Sequence, residues 1–133
     1  MKAQGTKIEV DTITDGTPDT EVLGVRNFSG FDGEASEMDT THLKSLAKEF
    51  DIGLQDFGGF TLEWLTDYAD AGQTALRDAQ ASGDKKTITT TFADGSIATF
   101  ECYVKNAQRL SGGVDATVDG GATLRITGAP TFT

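Results

Sequence analysis

The chain has 133 residues, 37% hydrophobic and 8% aromatic, with 16 glycines and 2 prolines; such a chain folds and is rich in turns, which excludes a disordered segment. Its 21 acidic residues against 11 basic ones give a formal net charge of −10, which repels a phosphate backbone and excludes ordinary nucleic-acid binding. The single cysteine, Cys102, excludes an intrachain disulfide, and no run approaches the ~20 apolar residues of a membrane span.

Lys7 to Val10 reads as a first strand, closed by the polar run Asp15-Gly16-Thr17-Pro18-Asp19. Asp11-Thr12-Ile13-Thr14-Asp15-Gly16 begins like a calcium loop, but Ile13 replaces an oxygen donor and Val22 stands where a bidentate Glu is needed, so a solvated turn is expected. Glu21 to Phe28 is a second strand, ended by Gly30 and Asp32-Gly33. Asn27-Phe28-Ser29 matches a glycosylation sequon, but the first seven residues lack the apolar centre of a signal peptide, so cytoplasmic synthesis is expected and the match is chance. From His42 to Phe50, Leu43, Leu46, Ala47 and Phe50 have helical spacing with Thr41 as a cap, yet a long extended loop fits equally. Phe60, Leu62 and Trp64 alternate with Thr61 and Glu63, the two-residue period of a half-buried strand.

Asp70 to Ser82 breaks the β pattern: Asp70 caps a helix, Gln73 completes a capping-box spacing, Ala75, Leu76 and Ala79 form an apolar stripe, and Gly83 is the stop. Lys86 to Phe92 puts Ile88, Thr90 and Phe92 on one face, and Asp94-Gly95 predicts a two-residue hairpin turn. The second arm sends Ala98, Phe100, Cys102 and Val104 to one side, with Cys102 a buried, inert thiol, and Thr99, Glu101, Tyr103 and Lys105 to the other. Val114, Ala116 and Val118 lead to a turn at Asp119-Gly120-Gly121, and Leu124 and Ile126 complete a closing hairpin. The reading is one domain over 1–133, mainly β with one α-helix on an antiparallel framework.

Chemistry is hard to find in this pattern. His42 has Asp39, Thr40, Thr41 and Ser45 near it, but there is no Gly-x-Ser-x-Gly elbow, and any polar turn supplies such neighbours. One His and one Cys cannot build a nitrogen/sulfur zinc site. Gly112-Gly113 and Gly120-Gly121 lack the helix and Lys of a phosphate loop and read as turn glycines. No enzyme, no cofactor and no metal are expected.

Gly33-Glu34-Ala35-Ser36-Glu37-Met38-Asp39-Thr40-Thr41 leads through a long segment to Gly53-Leu54-Gln55-Asp56-Phe57-Gly58 and the strand at Phe60 to Trp64. A helix and hairpins follow, ending Leu124-Arg125-Ile126-Thr127-Gly128. That order resembles the major tail tube proteins of phages with long flexible tails, whose architecture the type VI secretion tube shares. The resemblance implies an antiparallel β-sandwich or barrel with a flanking helix, and a structural virion subunit that stacks as hexameric rings into a tube for DNA ejection. It implies self-association in the host cytoplasm, a place in the virion tail, and tape-measure, tail-tip initiator and tail terminator proteins as partners. DNA would pass an acidic lumen without specific binding. Asp39 to Gly58 is then the expected subunit interface, with Asp39, Thr41, Leu43, Leu46, Phe50, Ile52, Leu54 and Phe57 as its contacts. Thr89, Thr91, Thr99, Glu101, Thr123 and Arg125 are candidates for a lumen-side sheet face, with Arg125 the misfit for a repulsive lumen. The rival reading is a calcium-dependent or carbohydrate-binding β-sandwich module using Phe28, Phe31, Phe57, Phe60 and Trp64.

Overall fold

A computed structural model describes residues 2–11 and 18–133. Most of the calcium-like loop and of the polar run after the first strand lie outside the described residues. The chain forms β1 (Lys7–Val10), β2 (Thr20–Glu21), β3 (Val25–Gly30), β4 (Glu37–Asp39), β5 (Phe50–Ile52), β6 (Gly59–Leu65), α1 (Ala71–Ser82), β7 (Lys85–Thr91), β8 (Ile97–Ser111) and β9 (Asp119–Phe132). Among the described residues, seven strands make one antiparallel sheet in the order β2-β1-β7-β8-β9-β6-β3, and β4 pairs with β5 in a separate two-stranded ladder.

The expected second strand is divided between the two margins of that sheet. β2 pairs with β1 at one edge and β3 with β6 at the other. Only Val22, Leu23 and Gly24 separate them, so the sheet must curl until its edges nearly meet. Gly24 turns the chain with φ +79°, a conformation that side chains with a Cβ rarely adopt. The helix holds this crossing. The Asp70 carboxylate accepts from the N–H groups of Gln73 (2.9 Å) and Leu23 (3.3 Å). Gln73 is fully buried; its amide donates to the carbonyls of Leu23 (2.8 Å) and Leu65 (3.0 Å), and its oxygen accepts from Asp67 N–H and Arg77. The cap at Asp70 and the left-handed stop at Gly83 are as expected, but Gln73 is spent on the crossing and not on a reciprocal capping box.

Leu76, Ala75 and Ala79 face a core of Phe60, Leu62, Trp64, Ile88, Phe100, Cys102, Leu124 and Ile126. The alternation on β6, β7, β8 and β9 falls on the expected faces, and burial pushes the Cys102 thiol up to about 12. Two turns differ from expectation. At Asp94-Gly95 the loop is one residue longer: Gly95 N–H donates to Phe92 O, Phe92 N–H to Ser96 O, and Gly95 alone has positive φ, the turn-plus-bulge alternative to a two-residue loop. The closing hairpin joins β8 to β9 through residues 112–118, and Asp119-Gly120-Gly121 lies inside β9. A Cβ at Gly121 would collide with the Leu62 carbonyl and the Arg109 guanidinium, so this glycine permits close approach and does not form a turn.

Candidate functional site

The chain leaves the sheet at Phe31, the only described non-glycine residue with positive φ (57°). Such a conformation is costly for a bulky residue. The ring offsets the cost by edge contacts with Phe60 (5.8 Å), Phe100 (5.3 Å) and Phe132 (5.4 Å). Gly33 and Gly58 then lie back to back, so close that a Cβ on either would overlap the other's backbone. Asp32 accepts from Gly59 N–H (3.0 Å) and Asp56 from Gly58 N–H (2.8 Å), while Arg125 donates to Asp56 across 2.7 Å. The Arg125 bond, then the Gly58 N–H, hold the Asp56 carboxyl below its usual pKa. These contacts close the base of an arm.

Beyond the base, the β4–β5 ladder pairs Glu37 with Ile52, Met38 with Asp51 and Asp39 with Phe50. The tip does not form the helix that its spacing allowed. Thr41, the would-be cap, bonds across the tip instead: its N–H donates to Asp39 (2.9 Å), its hydroxyl accepts from Glu49 N–H (2.8 Å). Ser45 Oγ accepts from His42 N–H and donates to Glu49 (2.7 Å). Local side-chain bonds of this kind compete with helix formation, and nothing packs on the stripe to favour the helix. His42 is tied at both ring nitrogens, Nδ1 accepting from Lys44 N–H and Nε2 lying 3.3 Å from Glu49, so Ser45 is not aligned as a nucleophile beside it.

Of the eight expected interface residues, seven are solvent-exposed on the arm. Leu43 and Leu46 are completely exposed, Leu54 is 91% and Ile52 71% exposed, and Phe50, with Met38 beside it, is about half exposed. Asp39 and Thr41 close the tip, and Phe57 instead packs against the core. The aromatics enlisted for a carbohydrate platform are unavailable: Phe60 and Trp64 are buried, and Phe28, Phe31 and Phe57 pack on the core. Thr89, Thr91, Thr99, Glu101, Thr123 and Arg125 do share the sheet face away from the core.

The family model for phage tail tube proteins of the lambda-like type matches residues 1–99, which include the whole arm. The chain belongs to the lambda-like phage tail tube family. No curated protein is significantly similar to this tail tube protein in sequence. Among solved structures, its fold is similar to a chain in the tail of an empty gene transfer agent particle, with TM-score 0.80, 17% identity, and 100% of this chain and 98% of that one covered. It is also similar to a chain of the SPP1 tail tube (TM-score 0.73, 18% identity, 100% and 78% covered) and to one in the anti-feeding prophage baseplate (TM-score 0.74, 9% identity, 100% and 95% covered). At such identities the likeness is one of fold: a mostly β subunit with one helix and a curled antiparallel sheet. Sequence reasoning about the tail tube protein missed β4 and β5, because three alternating residues on each side are too few to show a period. It also missed Gln73 as the tie between the sheet margins, for which an amide at the third helical position gave no signal beyond capping.

Proposed function

We propose that this tail tube subunit polymerises as stacked hexameric rings, assembled in the host cytoplasm, into the conduit through which DNA leaves a virion. The observation that carries the reading is the arm: it puts Leu43, Leu46, Ile52 and Leu54 in water, where a lone subunit gains nothing from them. The similar gene transfer agent tail was refined with six-fold symmetry, which supports the ring number. A similar chain belongs to a tube-terminating cap, which supports a terminator partner; tape-measure and initiator partners follow from the family resemblance.

Strand stagger supports ring closure. β7 covers β8 only as far as Tyr103, and β6 covers β9 only as far as Arg125. Apart from the Ala107 N–H taken by Gln80 and the Ile126 N–H taken by Gly58, Val104 to Ser111 and Ile126 to Phe132 each have one edge without a strand neighbour among the described residues, on opposite sides. Pairing such edges between copies removes them from solvent. The face opposite the core suits a conduit. It is rich in threonine, and Lys7, Lys85 and Arg125 each sit against a carboxylate: Glu9 (3.6 Å), Glu101 (3.0 Å) and Asp56 (2.7 Å). Arg125, the misfit for a repulsive lumen, is thereby neutralised. Negative-stain electron microscopy of the concentrated chain tests the reading: hollow tubes of uniform width with six-fold end views are expected. Particles that remain single subunits throughout would overturn it.

A further inference from the structure

The arm joins the sheet at the Gly59 end of β6, and among the described residues neither β4 nor β5 packs extensively on another element of the sheet or helix. At the opposite end of β6 a cleft of about 450 Å³ opens between β3 and the β8–β9 hairpin, lined by Arg26, Trp64, Arg109 and Asp119. The two features have complementary chemistry. The arm, residues 31–58, carries seven carboxylates against two lysines. Asp32, Asp39, Glu49 and Asp56 are used within the chain. Glu34, Glu37 and Asp51 make no side-chain hydrogen bond or ion pair among the described residues, and Glu37 and Asp51 stand opposite the exposed Ile52 and Met38 on the ladder. In the cleft, Arg26 is paired with Asp119 (3.3 Å), but Arg109 is in no ion pair among the described residues. The hairpin beside it exposes Leu110 (53%), Val114 (102%) and Val118 (54%).

From this arrangement we infer that the arm of one copy docks, head to tail, in the Arg109 cleft of the next. Leu43, Leu46 and Leu54 cover the hairpin's apolar side chains, and Arg109 takes a carboxylate from Glu34, Glu37 or Asp51. The inference rests on the self-assembly reading above and names the surface that receives the arm. An extended leg from Gly33 to Thr40 spans about 26 Å at ~3.3 Å per residue, enough to reach a neighbouring subunit. A projection at one pole and a socket at the other make a heterologous contact, which repeats from copy to copy.

Site-directed cross-linking tests it. Leu46→Cys and Val114→Cys are introduced singly and together, and the proteins are treated with a short bis-maleimide under assembly conditions. Cys102 is buried with its thiol pushed up to about 12 and stays silent. The double variant should give a ladder of covalent multimers and each single variant none. Arg109→Glu should raise the concentration needed for assembly at least tenfold, Arg109→Lys should not, and adding Glu34→Lys, Glu37→Lys and Asp51→Lys to Arg109→Glu should restore it. Tubes that form without the ladder, or cross-links in Leu46→Cys alone from a symmetric tip-to-tip contact, overturn the docking site and leave the tube reading standing. A chain that stays single at every concentration removes the self-assembly reading, and this inference with it.

Discussion

Replacing Leu43 and Leu46 together with serine should separate folding from assembly. Both side chains are completely exposed in the subunit, so neither has burial to lose when the chain unfolds. Exposed substitutions of this kind change stability by about 0.5 kcal/mol or less, a shift of roughly 2–4 °C at most for a domain of this size. With the arm as the proposed interface, assembly would cover the same two leucines, and burying a leucine is worth about 1.5–3 kcal/mol. Full coverage of both gives about 3–6 kcal/mol per contact, and half coverage about 1.5–3. At about 1.4 kcal/mol per tenfold, the critical concentration should rise by at least tenfold and by up to ~10⁴-fold. Sedimentation of a concentration series measures the assembly term, and a thermal melt of the dilute subunit measures the folding term. A lowered melting temperature with assembly unchanged would refute the reasoning, because it would mean that the tip belongs to the subunit's own core.

Four further outcomes are expected. Gly121→Ala should destabilise the fold by about 2–4 kcal/mol in a urea melt, since the added methyl would meet the Leu62 carbonyl and the Arg109 guanidinium. Gln73→Leu should cost about 1–3 kcal/mol in the same assay, because the part-buried carbonyls of Leu23 and Leu65 lose their donor. Trypsin should cut the free subunit at Lys44 and Lys48 on the exposed tip, and assembled material should be protected there, as mass spectrometry of the fragments will read out. Asp39, Asp56 and Asp94 have folded pKa values below 3.8, so the stability each supplies is present above the unfolded value and lost as pH falls through the folded one. Urea midpoints should therefore drop below about pH 4, and Arg125→Gln should make that acid limb shallower by removing the first cause of the Asp56 shift.

Local rules were enough wherever one residue's neighbours in sequence decide its surroundings. The alternation at Phe60, Leu62 and Trp64, or at Ala98 to Val104, needs only a strand with one wet face, and Asp70 and Gly83 mark helix ends through backbone groups within four residues. Gly120 and Gly121 were misread because their need for a missing Cβ arises from Trp64 and Arg109, distant in the chain. The division of residues 20–30 between opposite margins was equally invisible, since each half is a normal strand and only the pairing partners differ. For the arm, the unpartnered leucines were legible as a feature needing a partner, whereas the choice between helix and hairpin depended on the Thr41, Ser45 and Glu49 bonds across the tip.

The crossing at Val22 to Gly24 has a mechanical consequence. Because three residues join the two margins of the sheet, a pull on β1 or β2 is passed through covalent bonds to β3 and β6, and the sheet cannot unroll without first tearing Gln73 and Asp70 from the crossing. A wall built of such units would be stiff within each subunit. Bending, and any give as cargo passes, would then fall to the seams between copies and to the arms that span them.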